Sequence, residues 1–147
     1  MRRTGMLLAI VTAFAAGAAA DNTTKTAGPL PETAFTPLVP QLGAKGPQYQ
    51  VVFGDLSKKK APIGLLLKIP AGFTPGPHIH SSDYTGVAIA GELLDTPVGG
   101  LDKGEKITAG HRWFEPAKNP HDNLCASKVD CLEFVYFPNG FDTLPVK

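Results

Sequence analysis

Glycine and proline divide this chain into short pieces, and that punctuation restricts its fold more than any other feature. There are 16 Gly and 14 Pro in 147 residues. Turn clusters fall at Gly54-Asp55, Pro70-Ala71-Gly72, Pro75-Gly76-Pro77, Gly99-Gly100, Asp102-Lys103-Gly104 and Pro138-Asn139-Gly140. Proline lacks an amide donor and restricts its predecessor, and glycine enters turn conformations closed to other residues. Between the clusters, 48–53, 63–69, 85–94, 112–115 and 132–137 are rich in β-branched, aromatic and leucine residues. Short strands with turn residues between them predict an all-β sandwich or barrel. No segment holds a helical period for three turns, so little helix is expected. Core positions are expected at 65–67, Val87, Ile89, Leu132, Phe134 and Phe137.

The first twenty residues have the layout of a secretory signal peptide: Arg2-Arg3, an apolar run over 6–15, then Ala18-Ala19-Ala20. The run is too short to span a bilayer, which argues against a retained anchor. The arginine pair hints at twin-arginine export, but Thr4-Gly5 lacks the bulky apolar residue usual after it. Cleavage near Ala20 would place the chain in the periplasm or outside the cell. It would remove two of the 14 basic residues and none of the 13 acidic ones, leaving 12 against 13. That balance gives no electrostatic case for nucleic acid or anionic lipid, and no later apolar run could form a membrane helix. Residues 21–47, rich in Pro and Thr, predict an extended arm with one edge strand near 34–39. Residues 48–147 have room for one domain with a real core.

The two cysteines, Cys125 and Cys131, are even in number, and an oxidising compartment favours a disulfide between them. Closing so short a loop would stabilise the fold by about 2 kcal/mol at most. The competing reading leaves Cys125 as a free thiolate near a metal.

Four histidines are present, and two of them form His78-Ile79-His80. Residues i and i+2 on a strand share a face, so both imidazoles can approach one point. Neutral imidazole is the commonest ligand for transition metals. Alone, such a pair is weak evidence, because same-face histidines are more often surface or hydrogen-bonded residues.

Two longer stretches strengthen it: Gly72-x5-His78-x-His80-x3-Tyr84-x6-Gly91, and Gly110-x5-Pro116-x-Lys118-x2-His121-x3-Cys125. These resemble the two motifs of the cupin superfamily, G-x5-H-x-H-x3,4-E-x6-G and G-x5-P-x-G-x2-H-x3-N, and the resemblance spans roughly 51–137. Among cupins, the chain is most similar to small secreted single-domain members without an assigned reaction. The resemblance implies a jelly-roll β-barrel with His78, His80 and His121 as ligands of one divalent transition metal, whether Fe, Mn, Zn, Ni or Cu. It also implies a site with positions open for water or substrate. Three motif positions differ. Tyr84 stands where the family has a glutamate ligand, Lys118 where it has glycine, and Cys125 where it has asparagine. Either Tyr84 or the adjacent Asp83 could act as fourth ligand or as acid/base; a three-histidine site completed by solvent, and a site that has lost its metal, are the other readings.

Trp113 and Lys118 are candidate pocket residues, with core packing and a solvated turn as their plainer alternatives. His111 is taken as a surface or turn histidine. Three functions fit these features. The first is a metalloenzyme of oxygenase or isomerase type acting on a small organic molecule. The second is a periplasmic small-molecule or metal binding or sensing module. The third is a barrel with a vestigial site. Pairing of two chains is expected by analogy with cupins of this kind.

Overall fold

The computed structural model describes residues 35–100 and 103–146. The signal segment 1–20 and the first part of the arm, 21–34, therefore lie outside the described residues. The strands are β1 (Thr36–Pro37), β2 (Gln48–Phe53), β3 (Ile63–Ile69), β4 (His78–Ile79), β5 (Tyr84–Ala90), β6 (Glu92–Pro97), β7 (Glu105–Thr108), β8 (Arg112–Glu115), β9 (His121–Cys125), β10 (Cys131–Phe137) and β11 (Leu144–Pro145). They form two antiparallel sheets, in the orders β1-β2-β3-β10-β5-β8 and β11-β4-β9-β6-β7. Helix is confined to short 3-10 structure, of which Pro40–Lys45 is one turn. This is the jelly-roll arrangement, with little helix, that the turn punctuation predicts.

The core lies between the sheets. Ile69, Ala88 and Cys131 of the larger sheet pack on Leu93, Ile107 and Cys125 of the smaller. A second cluster, Ile63, Leu65, Tyr84, Val135 and Phe137, fills the other end. The Cys125–Cys131 disulfide joins the end of β9 to the start of β10, and both residues are fully buried. The bond therefore ties one sheet to the other.

The segment 85–94, expected as one strand, is two. Gly91 has φ 81°, and a Cβ there would meet Cys131 Cα and Sγ at 2.8 Å. The chain turns on this glycine, so β5 stays in the larger sheet while β6 enters the smaller. Sequence reading misses β7 and β11, and it places the histidines of β4 and β9 on strands without giving those strands bounds. The described part of the arm holds more than an edge strand: β1 pairs with β2, and the 3-10 turn follows it.

The inward face of β5 differs from the expected one. Tyr84, Gly86 and Ala88 are buried, whereas Val87 and Ile89 are 42% and 45% exposed. Strand alternation requires Val87 and Ile89 to share a face, and register places that face outside. On β10 the buried residues are Cys131, Glu133, Val135 and Phe137, so Leu132 and Phe134 are only half-buried. Small residues line the inner face of β5 because Trp113 lies across it; a Cβ on Gly86 would meet the indole at 2.2 Å.

Replacing Cys125 and Cys131 together with Ala is expected to remove about 2 kcal/mol of stability. For a domain of this size, that is a Tm lower by roughly 10 °C, read by thermal unfolding without reductant. An unchanged Tm would show that the bond between the sheets carries no stability.

Candidate metal centre

His78 lies on β4, directly opposite His121 on β9 in the antiparallel pairing. His80 follows two residues on, so its ring returns to the same face. The ring centroids are 4.4 Å (His78–His121), 5.0 Å (His78–His80) and 5.3 Å (His80–His121) apart. One ligand nitrogen from each ring lies within 4.8 Å of the others, and all three residues are buried.

Each ring is held from behind by a backbone carbonyl. His78 Nδ1 pairs with Gly76 O at 2.9 Å, His121 Nδ1 with Asn119 O at 3.0 Å, and His80 Nδ1 with Asp142 O. A carbonyl only accepts, so each Nδ1 carries the proton and each Nε2 keeps its lone pair. Further contacts fix the carbonyls. Asp142 accepts from the Ser81 amide and hydroxyl, tying the 141–143 segment to the turn after His80. Thr74 donates to buried Asp122 at 2.8 Å, holding the loop that carries Gly76 against β9. His121 Nε2 is buried with no hydrogen-bond partner. Such orphaned acceptors are rare in native interiors; a metal ion would satisfy this one together with a ring nitrogen of His78 and of His80, so the donor set fits a transition metal.

Burial lowers the pKa of His78, and it lowers that of His80 to about 4, aided by the neighbouring imidazoles and opposed by the Asp142 carbonyl. Both rings are thus neutral near pH 7, the form that binds metal.

Tyr84 stands at the edge of the cluster. Its ring meets His80 edge-on at 5.0 Å and stacks on Phe137 at 4.6 Å. Burial first, and then the Glu133 charge, hold its phenol well above the ordinary value, so it remains protonated. Asp83 is exposed and accepts from the Ala117 amide at 2.7 Å. It fastens the turn before β9 and does not supply a carboxylate to the histidines.

Trp113 and Lys118, expected in the pocket, do not line it. Trp113 packs on both core clusters above Gly86. Lys118 has φ 63°, and its amide donates to His80 O at 2.8 Å. The motif's glycine position here takes a left-handed backbone, a geometry glycine accepts without strain and lysine adopts at a cost of about 1 kcal/mol.

A cavity of about 450 Å³ opens beside the cluster, bordered by His78, His80 and Tyr84. Leu38, Val39 and Leu42 of the arm wall one side, and Phe137 and Phe141 another. Besides Asp122, two buried acids escape sequence reading. Glu115 pairs in register with Tyr84, accepts from Asn119 Nδ2 at 2.7 Å and lies 3.8 Å from His121 Nδ1. Glu133 lines the cavity itself. The only available signal was a charged residue inside an otherwise apolar strand, and both faces of β10 are apolar enough to obscure it.

No family model matches this sequence, and no curated protein does. Solved structures do. The polyketide cyclase RemF from Streptomyces resistomycificus superposes with a TM-score of 0.61 at 15% identity, over 83% of this chain and 87% of that one. An acetylacetone dioxygenase from Acinetobacter johnsonii gives 0.58 at 16%, over 79% and 75%. A protein of unknown function with a cupin-like fold from Ralstonia eutropha JMP134 gives 0.54 at 18%, over 64% and 56%. The chain has the cupin fold. Its two histidine stretches occupy adjoining strands β4 and β9 of that fold.

The lowered His80 pKa has a measurable consequence in metal-free protein. The unfolded chain takes up this proton near pH 6.5 and the folded chain only near pH 4. Acidification through that window therefore favours unfolding. Relative to the His80→Gln variant, wild-type stability should fall by about 3 kcal/mol from pH 7 to pH 4, read by denaturant unfolding at each pH. A difference independent of pH would refute a neutral, buried His80.

Proposed function

We propose that this protein holds one divalent transition metal through Nε2 of His78, His80 and His121 and presents it to a small organic molecule in the adjoining cavity. The observation that carries this reading is the shared arrangement of the three rings: every Nδ1–H is committed to a backbone carbonyl, and every Nε2 is free to converge. A bound ion would supply Lewis acidity, with one-electron chemistry as well if it were Fe, Mn or Cu. The chain's own residues do the rest. The carbonyls lock the tautomer, the apolar cavity walls keep out bulk water, and the Tyr84 phenol offers a proton beside His80. This set supports an oxygenase or isomerase type of reaction, and similarity to proteins named as a dioxygenase and a cyclase agrees with it.

A second reading, capture or sensing without turnover, is favoured by one observation. Among the described residues the clustered ligands are three histidines with no acid, and Asp83 faces away, so the usual carboxylate is absent from the immediate cluster. Both readings require the metal. His121→Ala should cut metal content of protein loaded with Fe(II), Mn(II) or Zn(II) at least tenfold by elemental analysis. Full occupancy in that variant would refute the three-histidine site, and tight binding without turnover across candidate substrates would favour the sensing module.

The same proposal includes export, with cleavage near Ala20; the buried disulfide supports an oxidising compartment. N-terminal sequencing of protein recovered from the periplasm or medium should begin at or near Asp21, and an intact N-terminus on cytosolic protein would overturn it.

A further inference from the structure

Glu133 is the one acid among the residues that line the cavity, and no Lys or Arg lines it. Its side chain is buried on the inner face of β10, opposite Leu67 on β3 and Ala88 on β5. No hydrogen bond reaches its carboxyl group among the described residues; the neighbour that acts on it is Asp95, through charge. A buried carboxyl group without a partner is costly, and native proteins rarely keep one that has no task. The ladder also departs from regularity at this position. Leu132 pairs with Ala90 and Glu133 with Ala88, so Ile89 is left as the extra residue of a β-bulge. Bulges beside binding sites re-aim side chains and persist for that purpose.

Position within the cavity specifies what Glu133 can meet. Tyr84, beside the histidines, and Ala88, opposite Glu133, are four residues apart on one strand, about 13 Å. The cavity runs between these levels with apolar walls, so one molecule can touch the histidine end and the Glu133 end. With no cationic side chain on the walls, an anion finds no counter-charge away from the metal. A divalent ion at the histidines would repel an organic cation. What remains at the Glu133 end is an uncharged group.

We propose that the cavity takes a neutral, mainly apolar organic molecule with a carbonyl oxygen, and that Glu133 anchors it by donating a hydrogen bond to that oxygen. Burial, and after it the Asp95 charge, push the Glu133 pKa up to about 8, so the carboxyl group keeps its proton at neutral pH and can donate. The inference names the ligand class for the site proposed above and rests on that reading only for the repulsion of cations.

Three compounds with one aromatic body test it: acetophenone, benzylamine and benzoate, titrated by calorimetry into the protein as it is recovered after export, metal-free and Zn(II)-loaded. Acetophenone should bind at least tenfold more tightly than benzoate in metal-free protein, and at least tenfold more tightly than benzylamine in Zn(II)-loaded protein. Glu133→Leu should weaken it about tenfold and, by removing a buried unpaired acid, leave the free protein at least as thermally stable as wild type. Glu133→Gln, which keeps a donor, should stay within about threefold. The carbonyl carbon of ¹³C-labelled acetophenone should move downfield on binding wild-type protein, a readout that does not depend on any variant folding. Tighter binding of benzoate in metal-free protein or of benzylamine in Zn(II)-loaded protein, affinity unaltered in Glu133→Leu, or a bound carbonyl with no shift would each overturn the proposal. Zinc bound normally alongside any of these results would overturn it alone. Absence of zinc binding, with acetophenone still dependent on Glu133, would overturn the metal reading and support this one.

Discussion

Three hydrogen bonds from imidazole Nδ1–H to the carbonyls of Gly76, Asn119 and Asp142 decide what this fold can do. Each closes a different loop onto a strand, and together they turn three rings so that their unprotonated nitrogens converge in a buried space. Without them each histidine could rotate or exchange tautomer, and the cluster would be three unrelated polar groups in a core that penalises them. Much of the surrounding structure serves this constraint. The β4–β9 pairing sets His78 against His121, Asp142 clasps the turn after His80, and Asp83 with the Lys118 amide positions the turn that leads to His121.

Carboxylates around the cluster are redistributed relative to the cupin pattern. Tyr84 occupies the glutamate position and packs as a core aromatic whose phenol keeps its proton. Across the ladder from it, Glu115 sits behind His121, on the Nδ1 side and too distant for a hydrogen bond to the ring. Glu133 lies further along the cavity in an apolar setting. Acids thus stand behind His121 and along the cavity, and none lies within the histidine cluster itself.

The two sheets that carry these groups are secured at the far end of β9. His121 opens that strand and Cys125 closes it, so the disulfide to Cys131 anchors the strand that presents the third histidine. The turn at Gly91 packs against the same cysteine pair, which explains why a side chain is excluded there. Sheet packing and site geometry therefore share one strand.

Much of this was legible in the residues. Turn clusters at Gly and Pro delimited β2, β3 and β8 at their observed bounds, because backbone restrictions of those residues act locally. The spacing of His78, His80 and His121 within two motif-like stretches identified the cluster, since i, i+2 geometry on a strand does not depend on the rest of the fold. Facing and partnership were not legible. Val87 and Ile89 looked like core and lie outside, because alternation defines two faces and only sheet packing selects which one is buried. Trp113 and Lys118 looked like pocket residues; the first covers Gly86 and the second serves through its backbone amide. Glu133 was hidden for the same reason: a charge within an apolar strand acquires meaning only when register turns it inward. Local geometry determined that strands, turns and a histidine cluster would exist. Tertiary packing decided which side chains share the cavity, because burial and charge proximity are properties of the assembled sheets and of no single segment.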